Sequence, residues 1–178
     1  MTAITEEEFG TLLGTFRESA WRLETRDSYA LDYEAQEFAD FLDGHPAPPP
    51  EVGWWAPWLD RITEMTRAEG KTIGRVRVVS EPPSDYQLWE MWAGPWHAEA
   101  GEDIGYLTRS QAARIGLPVA GDWWLLDDER LILMRFDRKG RIAGKTLTSD
   151  PELIAEHCAW RDLAVRYATP AAEFITAA

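Results

Sequence analysis

Ten tryptophans in a chain of 178 residues commit this protein to a large apolar interior, because an indole favours a buried or only partly wet site. Eight of them fall in three tight groups: Trp54, Trp55 and Trp58; Trp89, Trp92 and Trp96; Trp123 and Trp124. Each group is either core or the wall of a pocket, and core is the ordinary fate of large aromatics in one domain. The length suits a single domain with a sizeable core, or such a domain with a small N-terminal extension.

Charge narrows the partners. Asp and Glu number 31 against 18 Lys and Arg, for a formal net charge of −13. That field opposes phosphate backbones, so direct nucleic-acid binding is not expected. The basic residues do not cluster either: Arg75 and Arg77 alternate along one strand, and Arg138, Lys139 and Arg141 flank a turn. A basic protein partner suits this surface. Cys158 is the single cysteine, no apolar run is long enough to span a membrane, and residues 1–19 begin acidic, unlike a signal peptide. The expectation is a soluble cytoplasmic protein.

Residues 5–19 read as a helix, with Thr5 and Glu8 as a capping box and Phe9, Leu12, Leu13 and Phe16 on one face. Residues 20–26 alternate, Trp21 and Leu23 against Arg22 and Glu24, as a half-buried strand does. A short helix over 31–42 ends at Gly44. Pro46, Pro48, Pro49 and Pro50 remove donors and favour extended geometry, so 45–53 reads as a stiff connector with His45 solvated. Beyond it come a helix over 55–69, a strand over 72–80, a helix over 85–93 capped by Ser84 with Pro95 beyond, and a strand over 104–107. Thr108 caps the next helix. Strands over 123–126, 131–136 and 141–148 form a meander, and Asp150-Pro151 opens a long last helix. The fold expected is α/β or α+β, a mixed sheet flanked by helices. Residues 1–44 form a helical N-terminal extension, 45–53 a connector and 54–178 the mixed core.

From Arg75 to Tyr86 the chain reads Arg-Val-Arg-Val-Val-Ser-Glu-Pro-Pro-Ser-Asp-Tyr. With Ala-Gly-Glu-Asp-Ile at 100–104, Asp-Trp-Trp-Leu-Leu-Asp at 122–127, Asp150-Pro151 and Trp-Arg-Asp at 160–162, it resembles an actinobacterial family known as domain of unknown function 6879. The resemblance spans nearly the whole chain. It implies no activity, and only by genomic association does it imply work beside small helix-turn-helix regulators. The half from Gly70 onward also resembles one phospholipase-D-type domain, through the hairpin Leu-Leu-Asp-Asp-Glu-Arg-Leu-Ile-Leu at 125–133. Those enzymes use His-x-Lys-x-x-x-x-Asp. Counting back from Asp127 puts Ala120 and Asp122 where His and Lys belong, and from Asp128, Gly121 and Trp123. The likeness therefore implies a degenerate active site without phosphodiesterase activity.

Ser80, Glu81, Ser84, Asp85 and Tyr86 follow a strand and open a helix, which is where α/β folds collect ligands. The plainer reading is that Ser84 caps the helix and Asp85 complements its dipole. Glu99, Glu102 and Asp103 form an acidic group near His97. With Glu81 or Asp85 they would supply a general acid/base pair or a hard-cation site, although a solvated acidic loop is commoner. Zinc spacing is missing, His157 and Cys158 point apart, and no phosphate or dinucleotide fingerprint occurs. No cofactor, metal or catalytic residue is assigned. A pocket, if present, is expected to use Arg77, Ser80, Glu81, Ser84, Asp85 and Tyr86, with Glu102 and Asp103 opposite and Trp89 or Trp92 as aromatic wall. The function expected is a non-enzymatic regulatory and interaction module that works with a basic helix-turn-helix regulator and senses a small ligand. The rival is an enzyme using Glu81, Asp85, Glu102 and Asp103. Convergence of these carboxylates in a cleft favours the enzyme, and their dispersal over the surface favours the module.

Overall fold

A strand from early in the chain lies in the middle of the sheet. β2 (Ser19–Glu24) pairs in parallel with β3 (Thr72–Val79) and antiparallel with β5 (Asp122–Leu126). The computed structural model describes residues 1–177. Among these residues β1 (Thr2–Ile4), β4 (Asp103–Thr108), β6 (Arg130–Phe136), β7 (Ile142–Thr148) and β8 (Thr169–Pro170) complete one mixed sheet. Its order is β1-β7-β6-β5-β2-β3-β4-β8. Only β2, β3 and β4 run parallel to one another; the other pairings are antiparallel. Residues 1–44 thus share one sheet with the region beyond the prolines.

Helices cover both faces. On one lie α1 (Glu6–Thr15), α2 (Ala35–Leu42), α3 (Ala56–Thr63, continued by a π-helical turn over Glu64–Ala68) and α4 (Asp85–Ala100). On the other lie α5 (Arg109–Ile115) and α6 (Pro151–Tyr167). α7 (Ala171–Ala177) sits against β4. Successive strand residues point to opposite faces. Ala20, Ile73, Leu126 and Ile132 therefore meet Phe16, Trp55, Ile62 and Trp89, while Leu23, Val76, Leu125 and Leu131 meet Ala112, Leu117, Ile154 and Ala164.

The caps read from the sequence are present. Thr5 with Glu8, Ser84 with Gln87 and Thr108 with Gln111 each form a reciprocal capping box. Asp150 caps α6, with Pro151 in its first turn. Several elements depart from the expectation: the first helix, read over 5–19, ends at Thr15, and β1, β8 and α7 have no counterpart in the sequence reading. α4 continues through Pro95 to Ala100 and stops at Gly101, whose φ is +108°. Burial of Ala93, Gly94, His97 and Ala100 compensates for the donor that Pro95 lacks. In the proline run, Pro49–Glu51 forms a 3₁₀ turn with Pro49 buried, so part of the connector packs into the domain.

Candidate functional site

The alternation of β2 and β3 brings four charged side chains onto the sheet face beneath α1–α4: Arg22, Glu24, Arg75 and Arg77. In the parallel register Arg22 is beside Arg75 and Glu24 beside Arg77. A polar strand face ordinarily looks into water. Here it is covered, and Glu24, Arg75 and Arg77 are all buried. Between this face and the helices lies a cavity of about 400 Å3, large enough for a small organic molecule. Trp124 and Met134 extend its sheet side. α1 supplies Phe9 and Leu13, the segment before α2 supplies Tyr29, Tyr33 and Glu34, Trp54, Trp55 and Trp58 flank the start of α3, and α4 supplies Tyr86, Trp89, Glu90 and His97.

Charge pairing fixes the polar side. Glu24 is the hub: one oxygen lies 2.9 Å from Arg22 Nη1, and the other accepts from Arg77 Nε at 2.7 Å and from Arg75 Nη1 at 3.5 Å. Arg75 Nε donates to Glu102 at 2.5 Å, and Arg77 Nη2 to Glu90 at 2.7 Å. Burial opposes the ionisation of Glu24, but Arg22, Arg77 and Arg75 overcome it and hold the carboxyl well below its usual range. Glu102 behaves alike. Burial is outweighed by Arg75 and by the His97 hydrogen bond, which take it to about 2. Glu90 goes the other way: burial, reinforced by Glu24 and Glu34, raises it to about 8 against the pull of Arg77. Glu24 and Glu102 are thus held ionised beside the guanidiniums at neutral pH, while Glu90 is pushed toward its protonated form.

The aromatic side is a continuous array. Trp54 stacks on Trp55 with ring centroids 4.8 Å apart, and Trp55 meets Trp89 edge-on at 5.4 Å. Tyr86 meets both Trp89 and Tyr29. Tyr33, 56% exposed, packs edge-on against Trp54. The Arg22 guanidinium carbon lies 5.6 Å from the centre of the Tyr29 ring and 5.5 Å from that of Trp124, so the two sides of the cavity meet at Arg22.

Of the residues singled out from the sequence, Arg77, Tyr86 and Trp89 line the cavity. Glu102 is buried behind it, on Arg75 and His97. The others lie elsewhere. Ser80 donates its hydroxyl and backbone N–H to Gln87, and Ser84 caps α4 and donates its hydroxyl to the Asp27 carbonyl. Glu81 is exposed and accepts from the backbone N–H and hydroxyl of Ser110. Asp85 and Asp103 are exposed, and Trp92 packs with Trp96 and Phe41. Glu81, Asp85, Glu102 and Asp103 do not converge on one cleft. Arg22, Glu24, Arg75 and Glu90 belong to the cavity without having been expected there, and the Trp54 group, open from the sequence between core and pocket wall, lines it. The alternation on residues 20–26 and 72–80 was the available signal; that both faces are covered was not visible. Among the described residues no group of three or more His, Cys, Asp or Glu side chains is placed to hold a metal ion, and no helix is long and apolar enough to cross a membrane.

Comparison with curated proteins finds no match. Residues 7–176 match the family described as Domain of unknown function (DUF6879). That span takes in every strand of the sheet but the short β1, and nearly every residue lining the cavity. The chain belongs to this family of domains of unknown function.

Proposed function

We propose that this protein is a non-enzymatic regulatory module that holds one small molecule in the cavity beneath α1–α4 and engages a basic protein partner, such as a helix-turn-helix regulator, through its acidic surface. The observation that carries this reading is the cavity, aromatic on one side and charge-paired on the other, with its charged side held on β2, β3 and α4 and its aromatic side on α4 and on the turns at Tyr29 and Trp54–Trp55. The dispersal of Glu81, Asp85 and Asp103 over the surface supports a module over an enzyme built on them. The formal charge of −13 supports a basic partner. One observation favours catalysis instead. Glu90, raised to about 8 inside the cavity, has the poise of a general acid or base.

The test is recovery of the ligand. Protein purified from its native host is examined by native mass spectrometry, and the bound molecule is extracted, identified and returned to fresh protein. Stoichiometric retention of an unaltered molecule, together with a co-purifying basic protein, is the expected result. Conversion of the molecule that stops in Glu90→Gln would establish the enzyme. Absence of any retained small molecule, with none bound in a fragment screen, would overturn the cavity as a binding site.

A further inference from the structure

The carboxylates of the cavity wall are already engaged, each through at least one oxygen. Glu24 faces three guanidiniums, Glu90 accepts from Arg77, Glu34 accepts from the Tyr86 hydroxyl at 2.5 Å, and Glu6 pairs with Lys145. Several donors are not. Arg22 Nε and the indole N–H groups of Trp54, Trp89 and Trp124 are buried without a hydrogen-bond partner among the described residues, and all four residues line the cavity. Buried donors left unpaired are costly, so a molecule that enters with acceptors gains more here than one that enters with donors.

Arg22 also has the fewest carboxylate partners of the three guanidiniums. Arg75 has Glu102 besides Glu24, and Arg77 has Glu90 besides Glu24, whereas Arg22 is paired with Glu24 alone. Asp122, the next carboxylate in its field, accepts from the Thr25 backbone and hydroxyl and from the Tyr29 hydroxyl. Arg22 is half-buried, its guanidinium over the Tyr29 and Trp124 rings, which leave its planar fork ordered for a second partner.

We infer that Arg22 anchors the anionic end of the ligand, and that the cavity takes a small aromatic carboxylate whose ring lies against the indoles. This rests on the cavity being a binding site. A carboxylate matches a guanidinium fork, and a flat ring gains most from indole faces and edges. The protonated state of Glu90 fits this assignment, because it leaves Glu24 and Glu102 as the charged partners of three guanidiniums. An organic cation would be attracted by the same rings. It would, however, meet carboxylates that each already hold a partner, and it would lie beside three positive groups.

Three probes of similar shape separate these cases: phenylacetate, phenylacetamide and phenethylammonium, titrated by calorimetry and saturation-transfer NMR at pH 7 in low salt. Phenylacetate is expected to bind about ten-fold or more tightly than the amide, with the ammonium weakest, and Arg22→Gln to lose about ten-fold or more for phenylacetate alone. Should Arg22→Gln fail to fold, the wild-type protein still answers, since the Arg22 Nε–H resonance should move with phenylacetate and stay in place with the amide. Equal or tighter binding of phenethylammonium, unchanged affinity in Arg22→Gln, or an Arg22 resonance that phenylacetate does not move would overturn the anionic anchor and leave the cavity a site for other chemistry. If none of the three binds while native mass spectrometry finds another retained molecule, the aromatic-carboxylate assignment falls alone. If neither method finds any ligand, the cavity reading falls with it.

Discussion

Trp55 donates its indole N–H to Nε2 of His97 at 2.7 Å. With Nε2 accepting, Nδ1 of His97 carries the proton and donates it to Glu102 at 2.6 Å. The tautomer of a buried imidazole is thus fixed from both sides, and it connects the Trp54 group to the charge network through Glu102 and Arg75.

His97 should remain neutral below the usual histidine range. Burial lowers its pKa, and Glu102 only partly restores it. The folded protein then binds fewer protons at His97 than the unfolded chain, so this contribution to stability is present above the unfolded value, near 6.5, and is lost as pH falls below it. Histidine-selective NMR should report the Nδ1–H tautomer at pH 7. Trp55→Phe removes the donor to Nε2 and should cost about 1–3 kcal/mol in chemical denaturation.

Glu90 carries the opposite sign. A carboxyl raised to about 8 in the fold holds its proton where the unfolded chain has lost it. Its contribution is full at pH values below about 4.5 and disappears as pH rises through about 8. Urea midpoints of the wild-type protein should decline from pH 5 to 9, and Glu90→Gln, which cannot ionise, should flatten that decline. An unchanged slope in the variant would assign the decline to another group.

Asp127 contributes to the acid limb, beside Glu24 and Glu102. It sits at φ +56° in the β5–β6 turn, its side chain 1% exposed, and accepts from the backbone N–H groups of Arg17, Glu18 and Ser19 and from Arg130. Burial opposes its ionisation, but these donors bring it to about 2. Stability from this carboxylate is present above the unfolded value, near 4, and is lost as pH falls through about 2, a loss of about 2 kcal/mol. Asp127→Asn should remove this share of the acid sensitivity, leave that of Glu24 and Glu102, and lower the neutral-pH midpoint.

Gly74 leaves no room for a side chain. A Cβ there would stand 2.8 Å from the ring of Trp21, its register partner on β2, and 3.0 Å from the Asp103 carbonyl. Gly74→Ala should destabilise by about 1–3 kcal/mol through displacement of the indole or the strand. Near-ultraviolet circular dichroism and urea titration would read the two effects separately.

Local signals carried much of the architecture. The caps at Thr5, Ser84, Thr108 and Asp150, and the alternation over 20–26 and 72–80, are chemistry within a few residues and could be read directly. What was hidden depends on distant segments. Arg22, Glu24, Arg75 and Arg77 have the pattern of a strand with one wet face, and only α1–α4 lying over that face turns them into a buried network. Pro95 looked like a helix end because its missing donor is a local fact, whereas the burial of His97 and Ala100 that carries α4 onward is not. Gln87 carries no local signal beyond that of an ordinary amide, yet it receives the Ser80 and Ser84 backbone N–H groups and ties α4 to the Arg26 carbonyl. β1 and β8 are too short to leave a pattern.

The place of β2 between β3 and β5 also governs the order in which the molecule can come into being. On the ribosome β2 emerges early, and its antiparallel partner, aligned so that Ala20 meets Leu126, emerges far later. Until then the arginines of β2 and β3 and the indoles at 54–58 and 89 have no Trp124 beside them and no β6 or β7 to widen the sheet. Long-range closure of this kind is slow and leaves apolar surface open to chaperones or aggregation. A chain cut short before β5 would therefore leave β2 as an open sheet edge, and would lack Trp124, Met134 and Ile142 from the cavity wall.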